Sequence, residues 1–466
     1  MVRALSGLLV ACLACATAGD PASPAPTPPP DAVRALQRRP SRATELTTAL
    51  CDAAGPRLAG SDGETLGVAW ALRTLTALGL ENVHPEPVEQ EPRWARGTES
   101  AALTSPRAQP LAVTALGGSP STPPEGIEAQ VLEVTSLEAL EALAPGAAAG
   151  KIVFANVPMT RRADGSGYGQ EAGVRRLAAK AGARAGAVAA LIRSVGTDTN
   201  RLPHTGGQGV ERSMTPAAAL AIPDAELLHR LLTQGPVSLR LRLDTRHEAP
   251  TVGFNVVGEV TGRERPEELV LLGAHLDSWD LGVGALDDGA GVGVVLDAAR
   301  ALLELPQWPR RTVRVVLFAN EENGLAGALA YAKAHAEELP RHVSATEVDS
   351  GGDQALGLRV LGGEGARAVV SGWANSFAPH GVEVRDDDAH GGADTGPLLA
   401  AGVPMLDVAQ DVSRYFDVHH TANDTPAQLD AAQLEQVARS VATLAWLAAE
   451  QGGLGRVPEA RRGRSR

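Results

Sequence analysis

Short apolar runs of strand length alternate with helix-like segments through the second half of the chain, and this alternation restricts the fold more than any other feature. The predicted strands are at 254–260, 269–274, 313–318, 344–348 and 404–408, and the predicted helices at 290–303, 324–337, 365–377 and 430–450. Runs of this kind are typical of strands buried on both faces of a mostly parallel sheet. We therefore predict an α/β fold with a doubly wound, mostly parallel sheet.

The middle of the chain repeats the alternation on a smaller scale and follows a linker rich in Gly, Ser and Pro at 118–124. It predicts a smaller inserted α/β domain between a short strand at 83–88 and the strand at 254–260. The predicted division of the chain is an export signal over 1–18, a disordered Pro- and Ala-rich spacer over 19–32, the main domain over 33–115 and 250–452, the inserted domain over 116–249 and a basic disordered tail over 453–466.

The first ordered helix has a recognisable start and stop. Ser61 and Glu64 form the sequence pattern of a capping box, in which each side chain satisfies a backbone N–H. The helix that they open is predicted to end at Gly79, because glycine readily adopts the left-handed conformation that terminates helices.

The N-terminus has the pattern of an export signal. Arg3 precedes a short apolar run at 5–14, and small residues at 16–18 fit a cleavage site. Residues 9–12 also fit a lipoprotein signal with Cys12 lipidated, and the two alternatives stay open. Both predict an exported protein, either secreted or periplasmic, or anchored to the outer face of a membrane. We predict no transmembrane helix, because no stretch has ~18 uninterrupted apolar residues.

Composition excludes several classes of site. Of the three cysteines, Cys12 and Cys15 belong to the signal, so Cys51 cannot support a disulfide framework or a thiolate zinc site. The formal net charge of -13 and the 3 % aromatic content argue against a nucleic-acid partner.

Acidic and histidine side chains follow three of the predicted strands. His275 and Asp277 come after one, Glu321 and Glu322 after the next, and Asp349 after a third. Ligands of open α/β sheets bind at the carboxyl ends of the strands. Because buried carboxylates are costly unless they are paired or bound to a metal, we expect a metal site there.

Two further groups complete this pattern. Asp287, Asp288 and Gly289 stand at the start of a predicted helix, and His419 and His420 stand near the C-terminal end of the main domain. Alone, the first group is as often a helix N-cap and the second is usually a surface loop. Their joint occurrence with the acids after the strands favours a metal site.

The residue types suit two divalent metal ions that activate one water between them. Asp287 is the candidate for the bridging carboxylate. Glu321 and Glu322 are adjacent, so one can bind metal while the other acts as general base. Asp277 can accept the second N–H of His275 and fix its orientation.

The sequence resembles the co-catalytic zinc aminopeptidase and carboxypeptidase family, and within it the carboxypeptidase Q-like branch. The resemblance is carried by the segments at 273–280 and 287–289, by Glu321-Glu322, and by Asp349 and His420. It covers about residues 33 to 450. The segments at 192–195 and 203–206 resemble a protease-associated domain inserted into a peptidase domain.

The resemblance implies a two-zinc centre. His275 and Asp349 would hold one zinc ion, Glu322 and His420 the other, and Asp287 would bridge both. His420 is preferred to its neighbour because it stands four residues before an Asp-Thr pair, as in the family motif.

The resemblance also implies the roles of the remaining residues. Glu321 would be the general base and Asp277 the carboxylate that orients a ligand. His390 and Asp394 lie in a loop resembling the family's substrate-side loop, although Ala393 departs mildly from the family pattern.

The implied function is a secreted exopeptidase that hydrolyses dipeptides and other short peptides with a free N-terminus, by attack of a metal-activated hydroxide. A homodimer is implied as well. Two alternatives stay open: a single-zinc acyltransferase like glutaminyl cyclase, and a non-catalytic binding protein with a peptidase fold. Zinc content separates them, with about two, one or no ions per chain respectively.

Overall fold

The computed structural model describes residues 30–208 and 215–462. The predicted signal and Cys12 lie outside these residues. The strands, in chain order, are β1 (Glu81–Ser105), β2 (Gln109–Leu111), β3 (Val113–Ala115), β4 (Ile127–Val134), β5 (Ile152–Ala155), β6 (Ala189–Arg193), β7 (Ala217–Leu220), β8 (Ser238–Val260), β9 (Arg265–His275), β10 (Arg311–Phe318), β11 (His342–Glu347), β12 (Ala355–Leu361), β13 (Glu383–Val384) and β14 (Met405–Gln410).

The α-helices, in chain order, are α1 (Asp31–Arg38), α2 (Ala43–Ala54), α3 (Asp62–Leu78), α4 (Leu137–Glu141), α5 (Ser166–Glu171), α6 (Gly173–Arg184), α7 (Ile222–Leu232), α8 (Ala290–Leu303), α9 (Ala326–Ala334), α10 (Ala366–Ser371), α11 (Ala374–Phe377), α12 (Gly396–Ala400) and α13 (Ala431–Gln451). Single turns of 3-10 helix lie at Leu339–Arg341, Ala378–His380, Tyr415–Asp417, Pro426–Gln428 and Glu459–Arg461. None of the helices in the described part of the chain is long and apolar enough to cross a membrane.

The strands form one mixed, mostly parallel sheet. Its order is β13-β12-β14-β11-β9-β10-β8-β4-β5-β6-β7-β3, and β1 pairs along β8. Strands β14, β11, β9 and β10 are parallel neighbours, as are β4, β5, β6 and β7. This arrangement confirms the predicted α/β fold class.

Helices cover both faces of the main part of the sheet. On one face, α2, α8 and α13 bury a core against β9 and β10, with Leu50, Val295 and Val441 wholly enclosed. On the other face, α9 and α12 enclose Tyr331 and Leu398 in a second core. Strands covered by helices on both sides are apolar throughout, which explains why their positions could be predicted from the sequence.

Two long strands connect the main lobe to a second lobe. The sequence predicts only a short strand at 83–88, whereas β1 spans Glu81–Ser105 and pairs antiparallel with β8 from Glu81 to Ser105. The second lobe consists of β3–β7 and α4–α7, and within it β3 pairs antiparallel with β7. The predicted strand was too short because β1 is polar and carries several prolines, which strands at the edge of a sheet tolerate.

Three other local predictions can be compared with the structure. The helix that opens at Ser61 ends at Gly79 as predicted, and Ser61 Oγ accepts the N–H of Glu64. The Glu64 carboxylate, however, accepts the N–H of Gly60 rather than that of Ser61. The helix predicted over 365–377 is broken into α10 and α11 around Gly372, because glycine weakens helix interiors.

The C-terminal segment also differs from the prediction of a disordered tail. Residues 453–462 are described, and within them Leu454 and Val457 are buried against the main lobe. A short turn at Glu459–Arg461 follows. The apolar pair anchors this segment even though most of its other residues are polar or glycine.

A buried arginine connects the start of α3 to the loop after β9. The Arg57 side chain is fully buried, and its guanidinium donates to the carbonyl oxygens of Leu276, Gly55, Val283 and Gly284 at 2.6–3.2 Å. Backbone carbonyls thus satisfy a charge that would otherwise be costly to bury. The contacts fix the segment that follows His275.

We expect Arg57→Lys to lower the apparent melting temperature by about 5 °C, because an ammonium group cannot reach all four carbonyls and unpaired buried acceptors destabilise the fold. The measurement is thermal unfolding of the metal-free protein. Arg73→Lys is the control, since Arg73 is exposed on α3. Equal melting temperatures for the two variants would contradict this role of Arg57.

Candidate metal centre

Three neighbouring parallel strands end at one edge of the sheet, and predicted site residues follow each of them. β9 ends at His275 itself, β10 ends shortly before Glu321 and Glu322, and β11 ends shortly before Asp349. Phe318 of β10 is the register partner of His275. The carboxyl edge of the sheet therefore brings together residues that are distant in the sequence.

Asp287 lies at the centre of this group, with one oxygen facing each side. Its Oδ1 is 3.1 Å from Nε2 of His275, which is itself 3.6 Å from Oδ1 of Asp349. Its Oδ2 is 3.1 Å from Nε2 of His420, which is also 3.1 Å from Oε2 of Glu322. The five predicted metal ligands are thus brought together, with Asp287 between two pairs.

Asp277 lies beside the site but makes different contacts from those expected. Nδ1 of His275 is 3.1 Å from the Asp277 carbonyl oxygen and 3.6 Å from its carboxylate. The carboxylate instead accepts the backbone N–H groups of Glu321 and Glu322, at 3.0 and 3.2 Å. The Asp277 carboxylate therefore positions the two glutamates through their backbone N–H groups, and the Asp277 carbonyl oxygen contacts Nδ1 of His275.

The turn that carries Asp287 is held by two further buried acids. Asp424 accepts the N–H groups of Leu286 and Asp287, at 2.6 and 3.2 Å. Asp288 accepts the N–H groups of His275 and Gly291, both at 3.0 Å. Sequence reasoning used Asp424 only as a spacing marker and missed its role in positioning Asp287.

The second lobe contacts the loop that carries the two histidines. The Thr205 N–H donates to the carbonyl oxygen of His420, and Nδ1 of His420 lies 3.3 Å from the Thr205 carbonyl. Nδ1 of the buried His204 lies 2.7 Å from the His419 carbonyl, and Nε2 of His204 is 3.2 Å from Asp198. These contacts hold His420 in a left-handed conformation, φ 61°.

Distance alone does not separate the two histidines, because Nε2 of His419 is also 3.4 Å from Oδ2 of Asp287. Their surroundings differ. The ring of His419 packs among Tyr168, Tyr415 and Phe416, and its Nδ1 is buried with no hydrogen-bond partner among the described residues. Burial and the nearby charge of His420 hold the pKa of His419 well below its usual range.

His420, by contrast, faces acids on one side and a carbonyl on the other. Burial alone would lower its pKa, but the charge of Glu322 and contact with Asp287 raise the pKa of His420 to about 9. Bound to a metal through Nε2, the ring would carry its proton on Nδ1, which can donate to the Thr205 carbonyl 3.3 Å away. A second ring nitrogen fixed by a carbonyl is characteristic of metal-binding histidines.

The buried carboxylates of the site accept fewer hydrogen bonds from the described residues than their oxygens could accept. Oε1 of Glu322 is buried and has no hydrogen-bond partner within the described residues, and Oδ2 of Asp287 is contacted only by the rings of His419 and His420. Burial raises the pKa of Glu321 well above its usual range; His275 opposes this shift, and Glu322 and Asp349 reinforce it. Concentrated buried carboxylates with imidazole nitrogens among them fit divalent cations, and this mixture of N and O donors suits zinc.

The two predicted substrate residues are placed differently. Asp394 is wholly buried, neither of its carboxylate oxygens has a partner in the described part of the chain, and its backbone N–H donates to Glu347. Burial and the charge of Glu347 raise the pKa of Asp394. His390 is exposed, and its backbone N–H donates to Asp407.

A cleft of about 1690 Å³ opens onto the site between the two lobes. Glu321, Glu322 and His420 line it on the main lobe, and Tyr168 and Arg175 line it on the second lobe. Sites between lobes are common in enzymes because both walls can contact the substrate.

The chain is similar to several known proteins. Peptidase family M28 matches residues 255–445. Carboxypeptidase Q of Homo sapiens is 36% identical over 414 residues, which cover 88% of this chain and 86% of that protein. Carboxypeptidase Q of Rattus norvegicus is 38% identical over 413 residues, with the same coverage.

A solved structure agrees with these relatives. The Peptidase M28 precursor from Shewanella amazonensis superposes with a TM-score of 0.88 at 40% identity, covering 92% of this chain and 97% of that one. These similarities show that the chain belongs to peptidase family M28 and is a metallo-exopeptidase related to carboxypeptidase Q.

Proposed function

We propose that this exopeptidase uses two zinc ions to hydrolyse short peptides, chiefly dipeptides, that have a free N-terminus. The observation that carries the proposal is the position of Asp287, whose two oxygens face separate pairs of ligand atoms. A carboxylate placed in this way suits a bridge between two metal ions.

In this proposal, His275 and Asp349 hold one ion, Glu322 and His420 hold the other, and Asp287 bridges them. Bound zinc would polarise the scissile carbonyl and lower the pKa of the attacking water. The contacts of 3.1–3.6 Å among these side chains support the assignment, because donor atoms that bind one zinc ion at about 2.0–2.2 Å lie at similar distances from one another.

Glu321 is the proposed general base. It lines the cleft next to Glu322, and its raised pKa suits a carboxylate that accepts the proton of the attacking water and passes it to the departing amine. Asp277 keeps Glu321 in place through the backbone N–H. We also propose that the loop containing His390 and Asp394 meets the substrate termini, because Ala393 of this loop lines the cleft.

The second lobe is proposed to be an inserted protease-associated-type domain that walls the cleft and limits substrate length. Its support is the pair of cleft-lining side chains Tyr168 and Arg175. Export by the N-terminal signal, lipidation at Cys12 as its alternative, and a homodimer stay predictions from the sequence.

Removal of metal tests the zinc proposal. We expect about two zinc ions per purified chain, loss of dipeptide hydrolysis on chelation, and recovery when zinc is added back. Elemental analysis and turnover of Leu-Leu are the measurements. About one ion per chain would favour the cyclase-like alternative, no bound zinc would favour a binding protein, and recovery with magnesium alone would overturn the choice of metal.

Glu321→Gln should keep both zinc ions but lower kcat for dipeptides by about a thousandfold, because it removes the proton acceptor and leaves every ligand in place. Zinc content and kcat are measured on the same preparation. Glu337→Gln is the control, since Glu337 is exposed and does not line the cleft. A zinc-loaded Glu321→Gln enzyme that keeps most of its activity would refute the assignment.

The two histidines can be separated by asparagine, which tolerates the left-handed backbone of His420. We expect His420→Asn to lose at least one zinc ion and most activity, and His419→Asn to keep both ions. The measurement is zinc retained after dialysis against a weak chelator. Loss of zinc from the His419 variant alone would reverse the assignment.

A further inference from the structure

The buried side chain of Arg175 has no role in the mechanism proposed above. Arg175 lies on α6 of the second lobe, lines the cleft and is only 3% exposed. Its Nη1 donates to the hydroxyl of Tyr168 at 2.7 Å, but Nε and Nη2 have no hydrogen-bond partner in the described part of the chain. Buried arginines are normally paired, because an unpaired buried charge is costly.

No carboxylate of the described residues forms an ion pair with Arg175. The guanidinium lies over the ring of Tyr168, 5.3 Å from its centroid, and the backbone of Gly206 packs against it so closely that a Cβ there would be 2.6 Å from Cζ. Gln208 lines the same cleft, and its Oε1 is buried with no hydrogen-bond partner in the part of the chain that the structure describes.

Arg175 is also close to the metal-binding loop. The ring centroids of Tyr168 and His419 are 5.0 Å apart, and the stacked rings of His419 and His420 have centroids 3.5 Å apart. One phenol ring and one imidazole therefore separate the guanidinium from a proposed zinc ligand. Arg175 and His420 line the same cleft, so a substrate held at the metal centre can extend toward the guanidinium.

We propose that Arg175 binds the C-terminal carboxylate of the substrate, and that it thereby selects short peptides whose carboxylate follows closely after the bond that is cut. The two unpartnered N–H groups match the two oxygens of a carboxylate, which arginine binds in a bidentate manner. This inference rests on the proposed peptidase function and names the group that defines its substrate class.

A different role would be purely structural, with Arg175 holding Tyr168 against His419. The two roles differ in what they do to substrates that lack the carboxylate. Recognition of the carboxylate affects a free acid far more than its amide, whereas support of Tyr168 affects both equally.

The test compares hydrolysis of Leu-Leu and Leu-Leu-amide by the zinc-loaded wild type and by Arg175→Met. Wild type should prefer the acid by about 10- to 100-fold in kcat/KM, the effect expected of charge-assisted hydrogen bonds, and the preference should reside mainly in KM. In Arg175→Met the ratio should fall to about one. Arg175→Lys should recover part of it, and Arg184→Met, at an exposed position of α6 that does not line the cleft, should keep the preference of the wild type.

Calorimetric binding of a Leu-Leu analogue with a reduced peptide bond, as acid and as amide, separates this inference from the proposed function. Tighter binding of the acid that depends on Arg175, without hydrolysis of either dipeptide, would support the carboxylate site and overturn the peptidase proposal. Hydrolysis without an acid preference, a preference that survives in Arg175→Met, or equal losses on acid and amide would each overturn the role of Arg175.

Discussion

The architecture of the site depends on keeping several carboxylates close together and away from water. Such a group is unstable unless positive charge and N–H donors compensate it. The structure supplies part of this compensation through backbone N–H groups directed at Asp277, Asp288 and Asp424. The acids that face the centre itself, Asp287 and Glu322, receive no backbone N–H on their inward-facing oxygens from the described residues, and this is where cations are needed.

The same requirement explains the surrounding scaffold. Arg57 holds the segment after β9 by its carbonyl oxygens, and Asp424 holds the turn that carries Asp287. Neither residue faces the centre as a proposed ligand. Positions of the ligands are therefore set by a second group of buried polar contacts, as is common in metal sites.

The second lobe contributes to the site as well as to the cleft. Through Thr205 and His204 it contacts the backbone of the loop that carries His420, and Arg161 of the same lobe pairs with Asp417 in that loop. The lobe is thus part of the framework of the metal centre. A side chain such as Arg175 is consequently held in a defined position relative to the proposed zinc ligands.

The apolar strands, the helices between them and the polar residues at the strand ends could all be predicted from the sequence. Strands buried on both faces must be apolar, so the polar residues that follow them are easily recognised. The sequence did not reveal the long ribbon of β1 and β8, whose stability comes from pairing between distant segments rather than from local pattern. Only the tertiary structure showed that Asp277 accepts backbone N–H groups, that Asp424 positions Asp287, and that Thr205 reaches His420. These contacts join residues far apart in the chain, and their geometry follows from how the two lobes pack, which no local sequence pattern encodes.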